Sequence, residues 1–385
     1  MSKNNKPTYI SRVHLKGYKS IRDLSIDLLP GLNIIIGPNG SGKTNFLEFL
    51  DAAQLGKIRI NEPNETSVEI TDELGNKLVR NQKINRVTKG DRLVLFPEID
   101  ENWDEKLFKN GIEIIDKNQK NNKLYVLNNF KKELGLNFYK VFNPRLLSFT
   151  IAQDMPFIHE SALFKYDLKA QHTKESRSYY SPFVQNTPFE TIKYDHKSFT
   201  KDVVFKELAI KPELINNLKS FSPIEDIRLR DGFIFNKTEY EVFIDQLFLE
   251  FFVNNTWLSW NQLSDGTKRI FFIITQITAN NSLILLEEPE LGIHPHQLRL
   301  LMKFLREQSE NKQIIISTHA PQVLNILDED ELERIILTEF SPKNGTTMHH
   351  LTAEQIAQSR DYMTSEGLFL SDYWLYSNLL EKETA

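Results

Sequence analysis

Leu32-Asn33-Ile34-Ile35-Ile36-Gly37-Pro38-Asn39-Gly40-Ser41-Gly42-Lys43-Thr44-Asn45-Phe46-Leu47-Glu48-Phe49-Leu50 reads, in order, as an apolar run, a glycine-rich turn and an amphipathic segment. Its centre, Gly37–Thr44, fits G-x-x-x-x-G-K-[ST], a pattern that carries meaning where a strand precedes it and a helix follows. In that setting the glycines let consecutive backbone N–H groups wrap a polyphosphate, and the helix N-terminus adds its partial positive charge. Lys43 can reach the β- and γ-phosphates, and Thr44 can ligate Mg²⁺. A glycine-rich turn without function is the alternative, and the flanking strand and helix count against it. The stretch therefore predicts an α/β fold built on a P-loop. Gly37, Pro38, Asn39, Gly40, Ser41, Gly42, Lys43, Thr44 and Asn45 are its nucleotide-binding candidates.

Upstream, Val13 and Leu15, then Leu24, Ile26 and Leu28, alternate with polar residues, and Pro30-Gly31 turns the chain into Leu32–Ile36. Short strands feed the loop. Downstream, from about Gly56, strand-like pieces alternate with polar turns at Leu74-Gly75-Asn76 and Lys89-Gly90-Asp91. Asn and Lys crowd Lys117–Lys123, which fits a solvated loop better than a phosphate site. Between Phe164 and Lys201, Tyr166, Tyr179, Tyr180, Phe183, Tyr194 and Phe199 interleave with Lys169, Lys174, Arg177, Lys193 and Lys197. Such a mixture can stack bases and hold phosphates, but the plainer reading is an irregular insertion with its aromatics packed inward. Val203–Leu208 and Glu213–Phe221 read as helical, with Pro212 at a first helical position. No segment sustains heptads.

From Ile224 the pattern is regular again. Asp231-Gly232, between Ile227-Arg228-Leu229 and Phe233-Ile234-Phe235, predicts a hairpin, and Asn254-Asn255, between Leu247–Val253 and Thr256–Trp260, predicts a second. Leu263-Ser264-Asp265-Gly266-Thr267 precedes an apolar helix, Arg269–Ile277. Leu283–Leu286 then reads as a buried parallel strand ending in Glu287-Glu288-Pro289-Glu290. A helix carrying Leu298, Leu301 and Leu305 leads to a further buried strand, Ile314–Ile316, which ends at Ser317-Thr318-His319-Ala320-Pro321. This is βαβ grammar. Asp328-Glu329-Asp330-Glu331 reads as a solvated loop, Pro342-Lys343-Asn344-Gly345 as a hairpin turn, and the chain closes in a helical region near Leu380.

Ligands of such sheets sit outside the carboxyl ends of the parallel strands, and three ends carry chemistry here. Gly37–Thr44 is the first. Glu287 stands where a carboxylate would hold Mg²⁺ or its water shell, and Glu288 beside it could orient or deprotonate an attacking water. His319, after the next strand, is placed to sense a terminal phosphate. Two acids at the end of a buried strand need a cation or another partner.

Composition bounds the rest. At 385 residues, 40% hydrophobic and 26% charged, the chain can bury a sizeable core in one large or two ordinary domains. A formal charge of −5 gives no overall basic field, so a nucleic-acid contact would need a local patch. The absence of Cys excludes disulfides and thiolate metal sites and fits a reducing compartment. Met1–Pro7 lacks the apolar core of a signal peptide, and Ile270–Ile277 is too short to span a bilayer. The expectation is a cytoplasmic protein without membrane association.

Taken together, the motifs resemble a known family. Gly37–Thr44 is similar to a Walker A motif, Leu263–Thr267 to a variant ABC signature, Leu283–Glu288 to a Walker B with its catalytic glutamate, Glu290–Pro295 to the D-loop region, and His319 to the switch histidine. This set resembles ABC-type ATPases of the SMC, RecF and OLD kind, within the AAA-family ATPases. Leu15-Lys16-Gly17-Tyr18-Lys19-Ser20 is similar to that group's first strand and turn. The resemblance spans about residues 8–60 and 222–340 and is closest to the compact ATPases of bacterial DNA repair and anti-phage defence. Three departures stand out: Glu287 occupies the Walker B aspartate position, Asp265 replaces the first signature glycine, and the Q-loop glutamine has only Gln153 as a candidate. The expectation is an ATPase core without the TOPRIM nuclease domain of the OLD enzymes.

The resemblance implies a P-loop NTPase of the ABC-ATPase head type, with an antiparallel β subdomain and a mixed insertion. It implies ATP and Mg²⁺ as ligands. Lys43, Glu288 and His319 would be catalytic, Thr44 and Glu287 would hold the metal, and Ser264 and Gly266 would contact the γ-phosphate bound by another subunit. The expected division is residues 1–60 and 222–385 for the head and 61–221 for the insertion. A homodimer or higher homo-oligomer with shared ATP sites follows, acting on a separate effector or on nucleic acid in anti-phage defence. A RecF-type repair ATPase is the alternative, a transporter's ATP-binding subunit is a more distant one, and a scaffold that binds ATP without turnover is a third.

Overall fold

The structure, a computed structural model, describes residues 9–55, 65–72, 77–86, 99–109, 112–113, 191–194, 210–230, 234–237, 242–245, 249–279, 283–367 and 369–376. The expected turns at 74–76 and 89–91, the 117–123 loop, Gln153, the helix at 203–208 and the Asp231-Gly232 turn lie outside these residues, as do most of the 164–201 segment and the chain beyond 376. In chain order the strands are β1 (Ile10–Tyr18), β2 (Ile21–Asp27), β3 (Leu32–Ile36), β4 (Glu65–Asp72), β5 (Lys77–Arg86), β6 (Ile99–Lys109), β7 (Ile112–Glu113), β8 (Thr191–Tyr194), β9 (Asp226–Leu229), β10 (Ile234–Lys237), β11 (Val242–Asp245), β12 (Leu249–Val253), β13 (Thr256–Ser259), β14 (Ile284–Glu287), β15 (Ile314–Thr318), β16 (Ile335–Ser341) and β17 (Gly345–His350). The helices are α1 (Lys43–Leu55), α2 (Pro212–Phe221), α3 (Asp265–Ala279), α4 (Pro295–Ser309), α5 (Ala353–Glu366) and α6 (Leu370–Tyr376).

The chain forms two units. The first comprises Met1–Phe142, Asn281–Pro289 and Gln308–Ala385, and the second Asn143–Asn280 and Glu290–Glu307. These cuts differ from the expected boundaries at 60 and 221. β4 pairs with β1 antiparallel, so the strand-like pieces after α1 extend the first sheet, while the segment carrying Ser264 falls in the second unit.

The first unit is built on an eleven-stranded mixed sheet of order β14-β15-β3-β16-β17-β2-β1-β4-β5-β6-β7. β14, β15, β3 and β16 run parallel; from β17 onward the pairing is antiparallel. The sequence dictates this division. β3, β14 and β15 are buried at every position, as mostly apolar parallel strands should be; the one polar residue inside β3, Asn33, bonds the Leu29 backbone. β1 alternates instead, burying Val13 and Leu15 while Arg12 and Lys16 face solvent. α1 lays Phe46, Leu47, Phe49 and Leu50 into one buried cluster with Ile35, Leu285, Ile315 and Ile336. At about 1.5–3 kcal/mol per buried large apolar side chain, that face is a major source of the unit's stability. The Gln313 side chain ties the strand edges together, accepting from Ile10 N–H at 2.9 Å and donating to the Ile10 and Leu29 carbonyls at 2.8 and 3.1 Å.

The second unit holds two three-stranded sheets, β13-β12-β9 and β10-β11-β8. Asn254 and Asn255, with φ of 50° and 59°, turn β12 into β13 as the Asn-Asn pair predicts. The other expected hairpin is not formed: β9 pairs with β12 and β10 with β11, in separate sheets. Local turn chemistry favoured Asp231-Gly232, but partner choice followed burial, since Ile227 sits opposite the fully buried Phe251. Phe251 in turn packs against Trp260 and Phe271 at ring distances of 5.8 and 4.9 Å. α2 starts at Pro212 and buries Leu214, Leu218 and Phe221. Among the described residues no helix is long and apolar enough to cross a membrane.

Candidate functional site

Where β3 ends, the loop leaves the sheet too tightly for any side chain at Gly37, because a Cβ there would lie 2.2 Å from the Thr338 carbonyl oxygen. Gly42 is equally constrained: its φ is 102°, and a Cβ would meet Thr346 Oγ1 at 2.0 Å. Between them Pro38, Asn39 and Gly40 are exposed. α1 begins at Lys43, whose side chain is buried and whose Nζ donates to the Gly37 and Pro38 carbonyls at 2.7 and 2.9 Å. Those carbonyls satisfy an ammonium that would otherwise be costly to bury.

Thr44, in the first turn of α1, donates its hydroxyl to Glu287 Oε1. Glu287 is the last residue of β14 and is 2% exposed. Glu288 follows at φ 46°, a left-handed conformation unusual for a residue with a Cβ. Its N–H donates to the Ser317 carbonyl at 2.7 Å. Its buried carboxylate lies 3.4 Å from Nδ1 of the exposed His319. Strand alternation would send two consecutive side chains to opposite faces; the turn at Glu288 re-aims the second toward the end of β15. The order β14-β15-β3 thus gathers Glu287, Glu288, His319 and Gly37–Thr44 at the carboxyl ends of three neighbouring parallel strands.

Asn45 has a structural partner. Its amide donates to Ser20 Oγ at 2.6 Å, and Ser20 Oγ lies 2.7 Å from Thr346 Oγ1, so α1 is tied to the β1–β2 turn and to β17. Ser20 carried a sequence signal in the first-strand motif; Thr346 carried none. Near the loop, the hydroxyls of Ser41, Ser317 and Thr338 are buried and have no hydrogen-bond partner among the described residues.

The residues present fit a polyphosphate and a hard cation. Lys43 and the loop amides are donors, Thr44 and Glu287 offer the oxygen ligands Mg²⁺ prefers, and the unpartnered Ser41 and Ser317 hydroxyls are polar groups a ligand shell would satisfy. Glu288, its carboxylate 3.4 Å from His319 Nδ1, places a second buried acid at the same strand end.

Ser264 and Gly266 belong to the second unit. Ser264 is exposed and caps α3: its Oγ accepts from the Thr267 N–H at 3.2 Å and lies 2.9 Å from Thr267 Oγ1. Asp265 projects into solvent with its carboxylate 3.5 Å from the Nζ of buried Lys268. Gly266 must lack a Cβ, which would come 2.9 Å from the Gly292 carbonyl oxygen. Arg269 donates to the Leu291 carbonyl, so the 290–295 turn and the start of α3 pack as one piece.

Comparisons with known proteins bear on the family and the fold. Residues 32–325 match the family described as "AAA domain, putative AbiEii toxin, Type IV TA system". An uncharacterized ABC transporter ATP-binding protein of Haemophilus influenzae is 32% identical over 28% of this chain and 40% of its own length. The DNA replication and repair protein RecF of Corynebacterium jeikeium is 44% identical over 14% of this chain and 13% of its own. The chain thus spans less than half the length of the curated relatives it matches. An SMC head domain from Pyrococcus furiosus superposes with a TM-score of 0.52 at 14% identity, covering 91% of this chain and 98% of that one. A second, from Pyrococcus yayanosii, gives 0.51 at 10% identity over 92% and 99%. These likenesses show the ABC-ATPase head fold. With the family match spanning most of its length, the chain belongs to the AAA-domain P-loop ATPases of the ABC type, the SMC- and RecF-like group.

Proposed function

We propose that the chain binds Mg²⁺–ATP, hydrolyses it and works as a dimerising switch in bacterial anti-phage defence, controlling a separate effector. The observation that carries the reading is the convergence of Thr44, Glu287, Glu288 and His319 beside the loop. Lys43 exchanges its loop carbonyls for phosphate oxygens and neutralises their charge. Thr44 and Glu287 hold the cation, which supplies Lewis-acid stabilisation of charge on the phosphoryl oxygens when bound. Glu288 orients and deprotonates the attacking water, and His319 couples that carboxylate to the terminal phosphate.

Ser264 and Gly266 complete the site from a second copy. Their place at an exposed, capped helix start supports this, as does the resemblance to ATPases that join head-to-tail. The defence role rests on the family description, which names a toxin–antitoxin system. A separate protein partner is supported by the P. furiosus SMC head, which is bound to the C-terminal domain of ScpA in its structure. The RecF matches favour a second reading, a DNA repair ATPase contacting nucleic acid. We place the protein in the cytoplasm on the same likeness.

The deciding experiment follows phosphate release and particle mass with ATP, with ADP and without nucleotide. Turnover together with an ATP-dependent doubling of mass supports the switch. Absence of both removes it, and turnover that rises with added DNA moves the reading to repair.

A further inference from the structure

Glu287 and Ser317 are partners in the parallel register of β14 and β15, so their side chains project from the same face of the sheet. That face is the one α1 covers, since Leu285, Ile315 and Ile35 share a buried cluster with Phe46 and Phe49. Thr44 reaches Glu287 on the same side. Ser317 therefore stands between the strand that feeds the loop and the strand that ends in the metal candidate. It is 0% exposed, and its hydroxyl has no hydrogen-bond partner among the described residues. An unpaired buried hydroxyl is destabilising, and native chains retain few of them. Thr338 has a hydroxyl of the same kind, but on β16, on the opposite side of β3 from Glu287.

We propose that Ser317 is a positioning residue of this site, its hydroxyl holding a water in the hydration shell of the divalent cation that Thr44 and Glu287 would ligate. The proposal rests on the Mg²⁺–ATP reading and extends it to a residue outside the recognised motifs. Mg²⁺ gives up water reluctantly and is bound through a few protein oxygens, so most of its shell must be met by neighbouring polar groups. Groups that orient such a shell typically change metal affinity about 10- to 100-fold when removed.

The test uses the full chain and a fluorescent ATP analogue, titrated with Mg²⁺ and, separately, measured in EDTA. Ser317→Ala should raise the Mg²⁺ concentration giving half-maximal response about 10- to 100-fold, leaving the affinity in EDTA unchanged. The nucleotide-free variant should melt at or slightly above the wild-type temperature, because an unpaired hydroxyl has been removed. Ser317→Cys, similar in volume but a weak donor, should shift the Mg²⁺ response in the same direction by less. Thr338→Val should leave it alone. An unaltered Mg²⁺ response in Ser317→Ala overturns the proposal. So does an equal loss of binding in EDTA, which would mark a packing role, or an equal shift in Thr338→Val. If wild-type protein fails to bind the analogue under either condition, the Mg²⁺–ATP reading itself fails and this inference falls with it.

Discussion

The loop end of the first unit and the signature end of the second solve opposite problems. At the loop, charged and hydroxyl groups are drawn inward: Lys43, Glu287 and Glu288 are each at most 5% exposed and bonded to neighbours. At the signature, Ser264 is exposed, its hydroxyl engaged with its own helix, and Asp265 is largely in solvent. The first arrangement is a preformed cluster of a lysine, a threonine and two acids held by internal contacts. The second presents an exposed helix start whose hydroxyl bonds within its own helix turn. If that asymmetry is functional, first-unit substitutions should remove binding or chemistry, and second-unit substitutions should remove only the consequence of pairing.

The largest expected effect is at Lys43. Lys43→Ala removes the cation that meets the phosphates, and turnover should fall by about 10³-fold or more, to background in a phosphate-release assay. The loop should stay folded, with melting close to wild type. Normal turnover in a folded variant would end the reading of this loop as the site.

Glu288→Gln comes next. The amide keeps the shape and the buried position but cannot take a proton, so kcat should fall about 10²- to 10⁴-fold while nucleotide binding persists. An ATP-dependent larger species should then accumulate and outlast that of wild type in mass photometry. If no such species forms with bound nucleotide, the two ends do not communicate by pairing.

Much of this was legible in the sequence, for a physical reason. β3, β14 and β15 are buried throughout, so apart from Asn33 their runs are apolar up to the polar residues that end them, and those stand out as site candidates. Glu287, Glu288 and His319 were read that way, and the structure brings them together. What escaped notice depends on contacts distant in sequence. Thr346 meets Ser20 across 326 positions, and nothing near either residue announces it. The hairpin expected at Asp231-Gly232 gives way for the same cause: turn chemistry is local, whereas β9 pairs with β12, where Ile227 lies opposite buried Phe251. Glu288's left-handed backbone has no letter of its own, since a glutamate in an apolar context does not advertise a positive φ.

A third expectation separates the two ends directly. Lys43→Ala and Ser264→Arg should each be inactive as homodimers, because every shared site carries one defect. Mixed in equal amounts, random pairing gives about half mixed dimers with one intact site each, or roughly a quarter of wild-type turnover if the sites act independently. A linked mixed dimer that binds ATP at its intact site yet never closes would show that Ser264 does not complete the loop of another copy.

The smallest effect belongs to neither end and serves as the control for both. On β1 and β2, Arg12 and Asp27 form an exposed pair with a second contact at 3.0 Å. The Arg12 hydrogen bond holds the Asp27 carboxyl below its ordinary value, burial opposes it, and the charges of Arg12 and then His350 add smaller lowering contributions. A carboxyl lowered in the folded state contributes stability that is present above its unfolded value, near 3.9, and is lost as pH falls through the lowered one. Asp27→Asn should therefore cost at most about 1 kcal/mol at neutral pH, less in high salt, and nothing once both forms are fully protonated. Thermal melts of the two proteins should converge on acidification, while nucleotide binding and particle mass at neutral pH stay at wild-type values. A loss of ATP-dependent assembly in Asp27→Asn would mean that the outer face of β1 and β2 shares in pairing, and the contrast between a preformed loop end and an outward-facing signature end would have to be redrawn to include it.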